Sequence, residues 1–153
     1  MASPCKLIIH GASGRNGKRL IAIGNADPEV SLVGAIVRPT STFLNQDAGQ
    51  LAGGSPIGLS LSSSWPATAD AVIDFSSPEG CMEALHQCVD RKIPLVIAST
   101  GLTKEQVAAI EQGSHAIPIC YAPNMSVAVN LTMKLVQQAA QALRNVPGGA
   151  DVE

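Results

Sequence analysis

Three glycines at fixed spacing, Gly11-Ala12-Ser13-Gly14-Arg15-Asn16-Gly17, constrain this chain more than any other feature. Before them, Lys6–His10 reads as a short apolar strand; after them, Lys18–Gly24 reads as the body of a helix. A strand that turns through G-x-x-G-x-x-G into a helix is a variant of the dinucleotide-binding fingerprint. In that reading Gly11 permits the tight turn, Gly14 lets a pyrophosphate approach the backbone, and Gly17 lets the helix pack closely on the strand. The unpaired amides of the first helical turn then face the phosphates. A glycine turn also occurs for purely structural reasons, so the motif takes its weight from its place between a strand and a helix.

The rest of the chain continues the alternation. Ser31–Val37 reads as a second strand. Residues 39–64 are polar and glycine-containing, a long loop with room for a short strand near Ile57–Leu61. A loop of that length in a compact domain is commonly functional. Ala71–Phe75 is a third buried strand, and Ser77-Pro78 opens a helix that runs to about Val89, with proline at its first position. Pro94–Ser99 is a fourth strand. Thr103 caps a helix over Lys104–Gln112, with Gln106 completing a capping box. Ile117–Tyr121 is a fifth strand, followed by a long helix from about Ser126 to Leu143 and by the linker-like Pro147-Gly148-Gly149. Strands that alternate with helices imply right-handed crossovers and a parallel, doubly wound α/β sheet of Rossmann type.

Composition agrees. Of 153 residues, 46% are hydrophobic and only 3% aromatic, so the core is built from Val, Ile, Leu and Ala, as in a sheet covered on both faces. The formal net charge is −2 and no basic run occurs, which argues against nucleic acid or an anionic membrane as a partner. No apolar stretch approaches the ~20 residues that span a bilayer. The start of the chain has no signal-peptide core, so a cytoplasmic location is the default expectation. Cys5, Cys81, Cys88 and Cys120 form no C-x-x-C pair and read as small buried hydrophobes, not as a metal site.

Ligands of doubly wound sheets bind at the carboxyl ends of the strands, so the residues after each strand are the functional candidates. The second strand ends Ile36-Val37-Arg38, without the carboxylate that holds the ribose of NAD. Arg38 stands about 20 residues beyond the turn, where a guanidinium can take the 2′-phosphate of NADP. NADPH is therefore expected over NADH. Asp74 is expected to satisfy backbone amides at a strand-to-helix turn and not to act in catalysis. Phe75 is either a wall beside the cofactor or plain core. Ala98, Ser99 and Thr100 offer small and hydroxyl groups to a nicotinamide, and Asn124 suits a carboxamide, although capping the next helix is the stronger expectation for Asn124 or Ser126. None of His10, His86 and His115 reads as a catalyst, and no catalytic triad or metal cluster is visible.

At this point the residues resemble a family. Gly11–Gly17 is similar to the G-x-x-G-R-M-G turn of dihydrodipicolinate reductases, with Asn16 in place of methionine. Asp47-Ala48-Gly49-Gln50-Leu51-Ala52-Gly53 resembles a segment of that family's long loop, and Asp74–Gly80 resembles its D-F-T/S-x-P-E-G element. Ser99-Thr100-Gly101 is similar to its T-T-G turn, and Ala122–Asn130 to its A-P-N-F/M-S-x-G-V-N block, with Ala128 replacing glycine. The resemblance implies an NAD(P)H-dependent oxidoreductase that delivers a hydride to a cyclic dicarboxylate in diaminopimelate and lysine biosynthesis. It implies that Gly11, Ala12, Ser13, Gly14, Arg15, Asn16 and Arg38 hold the pyrophosphate and 2′-phosphate. Ala98, Ser99 and Thr100 with Ala122, Pro123, Asn124 and Met125 would line the nicotinamide. Val37 stands where many members carry an acidic residue, a departure that favours NADPH.

By the same resemblance, residues 1–146 are the nucleotide-binding domain and 147–153 open a substrate domain that carries the family's catalytic histidines and P-S-G-T segment. Turnover by this chain alone is not expected, and the family's homotetramers form largely through the second domain. Two other readings use the same residues: a non-catalytic dinucleotide-binding or regulatory protein, and an oligomerisation unit with a vestigial site.

Overall fold

The computed structural model describes residues 3–122 and 124–144. The chain divides into two compact units, Met1–Tyr121 and Ala122–Glu153. In the first, β1 (Cys5–His10), β2 (Val30–Ile36), β3 (Leu61–Ser62), β4 (Ala71–Asp74), β5 (Leu95–Ile97) and β6 (Ile119–Tyr121) form one sheet in the order β3-β2-β1-β4-β5-β6. All adjacent strands are parallel. This is the doubly wound order, with its reversal point between β1 and β4. The helices are α1 (Arg15–Ala26), α2 (Ala48–Leu51), α3 (Pro78–Arg91) and α4 (Lys104–Ser114), with α5 (Val127–Leu143) in the second unit.

The period-two alternation of the strands divides the interior into two cores. Ile8, Ile36, Val72, Leu95 and Ile97 pack with Cys81, Leu85 and Cys88 of α3 and Ile110 of α4. Their sequence neighbours Ile9, Ala35 and Val37 turn to the other face and pack with Ile21 of α1 and Ala48 of α2. Each central strand therefore faces apolar material on both sides, which is why it reads as a near-continuous hydrophobic run. The crossover from β3 to β4 is made without a helix among the described residues. Trp65 and Ala69 pack onto the α3–α4 face in its place, and Arg91 Nη1 donates to the carbonyl of Pro66 (2.8 Å).

Most expected elements are present with ends shifted by one or two residues. Both forecast caps form: Ser77 at α3, and Thr103 with Gln106 as a full capping box at α4. α1 begins at Arg15, earlier than the periodicity indicated, because Gly14 itself is the N-cap. Residues 39–64 hold a helical turn that the pattern did not announce. Asp47 caps α2 by accepting from the amides of Gly49 and Gln50, and it also accepts from Ile57 and Gly58. This carboxylate folds the loop back on itself, and the edge strand falls at Leu61–Ser62 instead of Ile57–Leu61. Partial burial opposes its charge, yet those amides hold its carboxyl below the ordinary range. The cysteine expectation holds for half the set. Cys81 and Cys88 are buried, and burial, with Asp74 nearby, pushes both thiols up to about 12. Cys5 and Cys120 are exposed, on strands at or near their ends. The Pro147-Gly148-Gly149 linker lies outside the described residues.

Gly17 tests the close packing of α1 on the turn. A Cβ there would press into the carbonyl oxygen of Gly11 and lie 2.7 Å from the Cα of Ala12, backbone that has no room to give. Helix propensity alone would favour alanine by about 1 kcal/mol, but a backbone collision costs about 1–3 kcal/mol. Gly17→Ala is therefore expected to lower the urea-unfolding free energy by roughly 1–3 kcal/mol; a gain would show that the helix does not seat on the turn.

Candidate functional site

Where the strand order reverses, a cleft of about 630 Å³ opens at the carboxyl ends of β1, β2 and β4. One wall is the glycine turn, through Gly11, Ser13 and Gly14. The second is the segment after β2, from Val37 and Arg38 through Thr40, Ser41, Thr42 and Phe43. The third is the start of α3, with Phe75, Ser76, Ser77, Glu79, Gly80 and Glu83.

Gly11 makes the first wall possible. Its φ is +78°, and a Cβ would lie 2.5 Å from the carbonyl oxygen of Phe75. Only glycine adopts that conformation beside so close a backbone. The amides of Gly11 and Ala12 both turn back to the carbonyl of Ile36 (3.0 Å each). Gly14 caps α1 and has no side chain to offer, so the amides of Arg15 and Asn16 stand as open donors at the positive end of the helix. In the second wall, the Ser41 hydroxyl accepts from the amide of Phe43 (3.2 Å), and the Lys18 ammonium lies 5.5 Å from the Phe43 ring centroid, linking the segment to α1.

Beneath the cleft lies a buried polar network that the sequence reading did not foresee. Asp74 is fully buried, and side chains satisfy it, not the local backbone amides expected. His10 Nδ1 lies 2.6 Å from Oδ1, Ser76 donates to the same oxygen (2.6 Å), and Ser99 donates to Oδ2 (2.5 Å). Burial by itself would raise the pKa of this carboxyl. The hydrogen bonds from His10, Ser76 and Ser99, with the charge of His10, outweigh burial and hold it below the ordinary carboxylate range. His10 and Asp74 are register partners on β1 and β4, and Ser99 follows β5, so one carboxylate ties together the ends of three strands.

The structure brings together part of the expected set. Gly11, Ser13, Gly14, Arg38 and Phe75 line one cleft. Ala12 is buried below the turn, and Arg15 and Asn16 are exposed on the first turn of α1, outside the cleft lining. Ala98 and Ser99 are buried beyond β5, with the Ser99 hydroxyl committed to Asp74, while Thr100 is exposed. Ala122, Asn124 and Met125 belong to the second unit, and Pro123 lies outside the described residues. Within that unit the capping expectation holds. Ser126 caps α5, Asn124 Oδ1 accepts from the Ser126 amide (2.8 Å), and Asn130 Nδ2 donates to the carbonyls of Asn124 and Ser126. Sequence reasoning missed Thr40, Ser41, Thr42 and the rest of the third wall beyond Phe75; the hydroxyl run that follows Arg38-Pro39 was the available signal.

Asp74→Asn tests the network. A group whose folded pKa is depressed contributes stability above its unfolded value, near ~3.9, and loses that contribution as pH falls through the folded value. The variant is expected to be about 3–5 kcal/mol less stable than the parent at pH 6, with the gap narrowing below pH ~4. Urea titrations at both pH values check this; a gap independent of pH would contradict it.

Comparison with known proteins places this architecture. The family model described as "Dihydrodipicolinate reductase, N-terminus" matches residues 5–125. The chain is 48% identical to the 4-hydroxy-tetrahydrodipicolinate reductase of Rhodopirellula baltica, over 98% of this chain and 55% of that protein. It is 44% identical to the protein of the same name from Colwellia psychrerythraea, over 90% of this chain and 52% of the other. The chain thus spans about half the length of the curated relatives it matches. Among solved structures it resembles a dipicolinate-bound dihydrodipicolinate reductase from Paenisporosarcina sp. TG-14, with TM-score 0.67 and 19% identity over 90% of this chain and 54% of that one. It also resembles an aspartate semialdehyde dehydrogenase with NADP from Candida albicans, with TM-score 0.60 and 15% identity over 89% of this chain and 48% of that one. At those identities the two structures speak to the fold alone. Among the described residues, no helix is long and apolar enough to cross a membrane and no cluster of His, Cys, Asp and Glu is arranged to hold a metal. The matched family model, the strand order and the glycine turn agree: this chain belongs to the dihydrodipicolinate reductase family, of which it carries the N-terminal part.

Proposed function

We propose that the cleft between the glycine turn, Arg38 and Phe75 binds NADPH for a 4-hydroxy-tetrahydrodipicolinate reductase. The observation that carries this is the convergence of Gly11, Ser13, Gly14 and Arg38 on one cleft at the reversal point of a parallel sheet. The residues suit the group. The positive φ of Gly11 makes the tight turn, and the bare N-cap at Gly14 leaves the amides of the first α1 turn open beside the cleft, where a pyrophosphate would lie. The exposed Arg38 guanidinium is free to make paired hydrogen bonds to a 2′-phosphate. Val37 is buried and apolar, so the end of β2 offers no carboxylate to a ribose diol.

When bound, the reduced dinucleotide supplies the hydride. The chain's own part is to fix the phosphates with main-chain amides and Arg38, and to wall one side of the site with Phe75. Ala98, Ser99 and Thr100 with Ala122, Pro123, Asn124 and Met125 are assigned to the nicotinamide end. The acceptor is a cyclic dicarboxylate of lysine biosynthesis, as the names of the relatives imply for them. In this reading residues 1–146 are the cofactor domain, 147–153 lead into the substrate domain, the cell compartment is the cytoplasm, and assembly into tetramers rests on that second domain. Residues 1–153 bind the cofactor and do not turn over by themselves.

Calorimetric titration tests the assignment. The parent chain is expected to bind NADPH more tightly than NADH. A charged hydrogen-bonded contact contributes about 1.5–3 kcal/mol, so Arg38→Ala is expected to weaken NADPH roughly 10- to 100-fold and leave NADH nearly unchanged. Equal or tighter binding of NADH by the parent chain would sink the NADPH assignment.

A further inference from the structure

We infer that His10 is a further binding residue of this cleft, contacting the phosphoribosyl part of the dinucleotide through Nε2; the inference rests on the cleft being the dinucleotide site. His10 is 96% buried by its 4% residual exposure, and it still lines the cleft. Its two ring nitrogens are in different situations. Nδ1 is held by Asp74 at 2.6 Å. Among the described residues Nε2 has no hydrogen-bond partner, and it is not among the fully buried orphan polar atoms, of which the Trp65 indole Nε1 is the one found. A nitrogen without a protein partner, on a ring buried on its other sides, is left facing the cleft.

The surroundings fix the ring in that pose. One face stacks on Trp65, with centroids 5.3 Å apart and 28° between planes. A Cβ at Gly80 would lie 2.5 Å from Ser76 Oγ and 3.2 Å from the ring's Cε1, so the first turn of α3 seats closely on both with glycine at residue 80. Asp74 orients the imidazole by taking Nδ1, the arrangement in which a carboxylate fixes the ring and leaves Nε2 to act on a ligand. His10 directly precedes Gly11, so Nε2 is presented beside the phosphate-binding turn. A phosphate oxygen would accept a hydrogen bond from the charged ring, and a ribose hydroxyl would donate one to the neutral ring. Both kinds of group are present in adenosine diphosphate, which therefore serves as a probe.

The test uses the whole chain with ADP and NADPH. In His10→Asn the side-chain amide can still donate to Asp74, but nothing replaces Nε2. Loss of one hydrogen bond in a desolvated site predicts about tenfold weaker binding of both probes. In the parent chain, the ¹⁵N resonance of His10 Nε2 is expected to move on saturation with ADP more than that of Nδ1. This second measurement stands even if His10→Asn fails to fold. A folded His10→Asn with unchanged affinity, or a parent chain that binds ADP with Nε2 unmoved, overturns the inference alone. A parent chain that binds neither probe overturns the site reading and this inference with it.

Discussion

A fully buried carboxylate at the reversal point of the sheet organises the rest of this fold. Leaving Asp74 unpaired in the interior would cost several kcal/mol, so the chain must bring donors to it from three directions. It does so with His10 at the end of β1, Ser76 just beyond β4 and Ser99 just beyond β5. Satisfying that one group sets the relative height of three strand ends. It also fixes the floor on which the glycine turn and the first turn of α3 rest. The cleft is what remains above that floor once Gly11 has turned the backbone away from Phe75 and Gly80 has let α3 settle on the His10 ring.

The cleft is electrically divided. Open amides at the start of α1 and the Arg38 guanidinium provide positive potential along the first two walls, whereas Glu79 and Glu83 line the third. Its own backbone amide and the Ser77 hydroxyl hold the Glu79 carboxyl below the ordinary carboxylate range. An anion entering such a cleft is drawn to the glycine turn and Arg38 and kept off α3. A dinucleotide would suit this division, because its phosphates can lie along the first two walls while the flat face of a base meets the Phe75 ring. The hydroxyls of Thr40, Ser41 and Thr42 extend the anion-receptive edge beyond Arg38.

The fold was legible in the sequence because its signals are local. Strand runs such as Leu7-Ile8-Ile9 and Ala71-Val72-Ile73, the caps at Ser77 and Thr103, and the glycine spacing each report on a few consecutive residues. The long segment between β2 and β4 was less legible for the opposite reason. α2 exists because Asp47 reaches ten residues ahead to the Ile57 amide, and the β3–β4 crossover is held by Trp65 packing, not by a helical period. The candidate site was half legible. The cleft residues proposed to meet a ligand through backbone or through a lone charge, Gly11, Gly14 and Arg38, carry sequence signatures. Asp74 and His10 are 64 positions apart, and nothing in either neighbourhood announces that they meet. For the same reason Asp74 was expected to bond its own turn: the local explanation is the one a single sequence can offer.

The most direct test of this account is the location of binding, not its strength. Amide hydrogen exchange of the chain, with and without saturating NADPH, reads that location residue by residue. The account predicts added protection at residues 10–17 and 38–43 and around 75–80, the three walls of one cleft. Protection confined to other segments, or none at these three despite saturation, would contradict it.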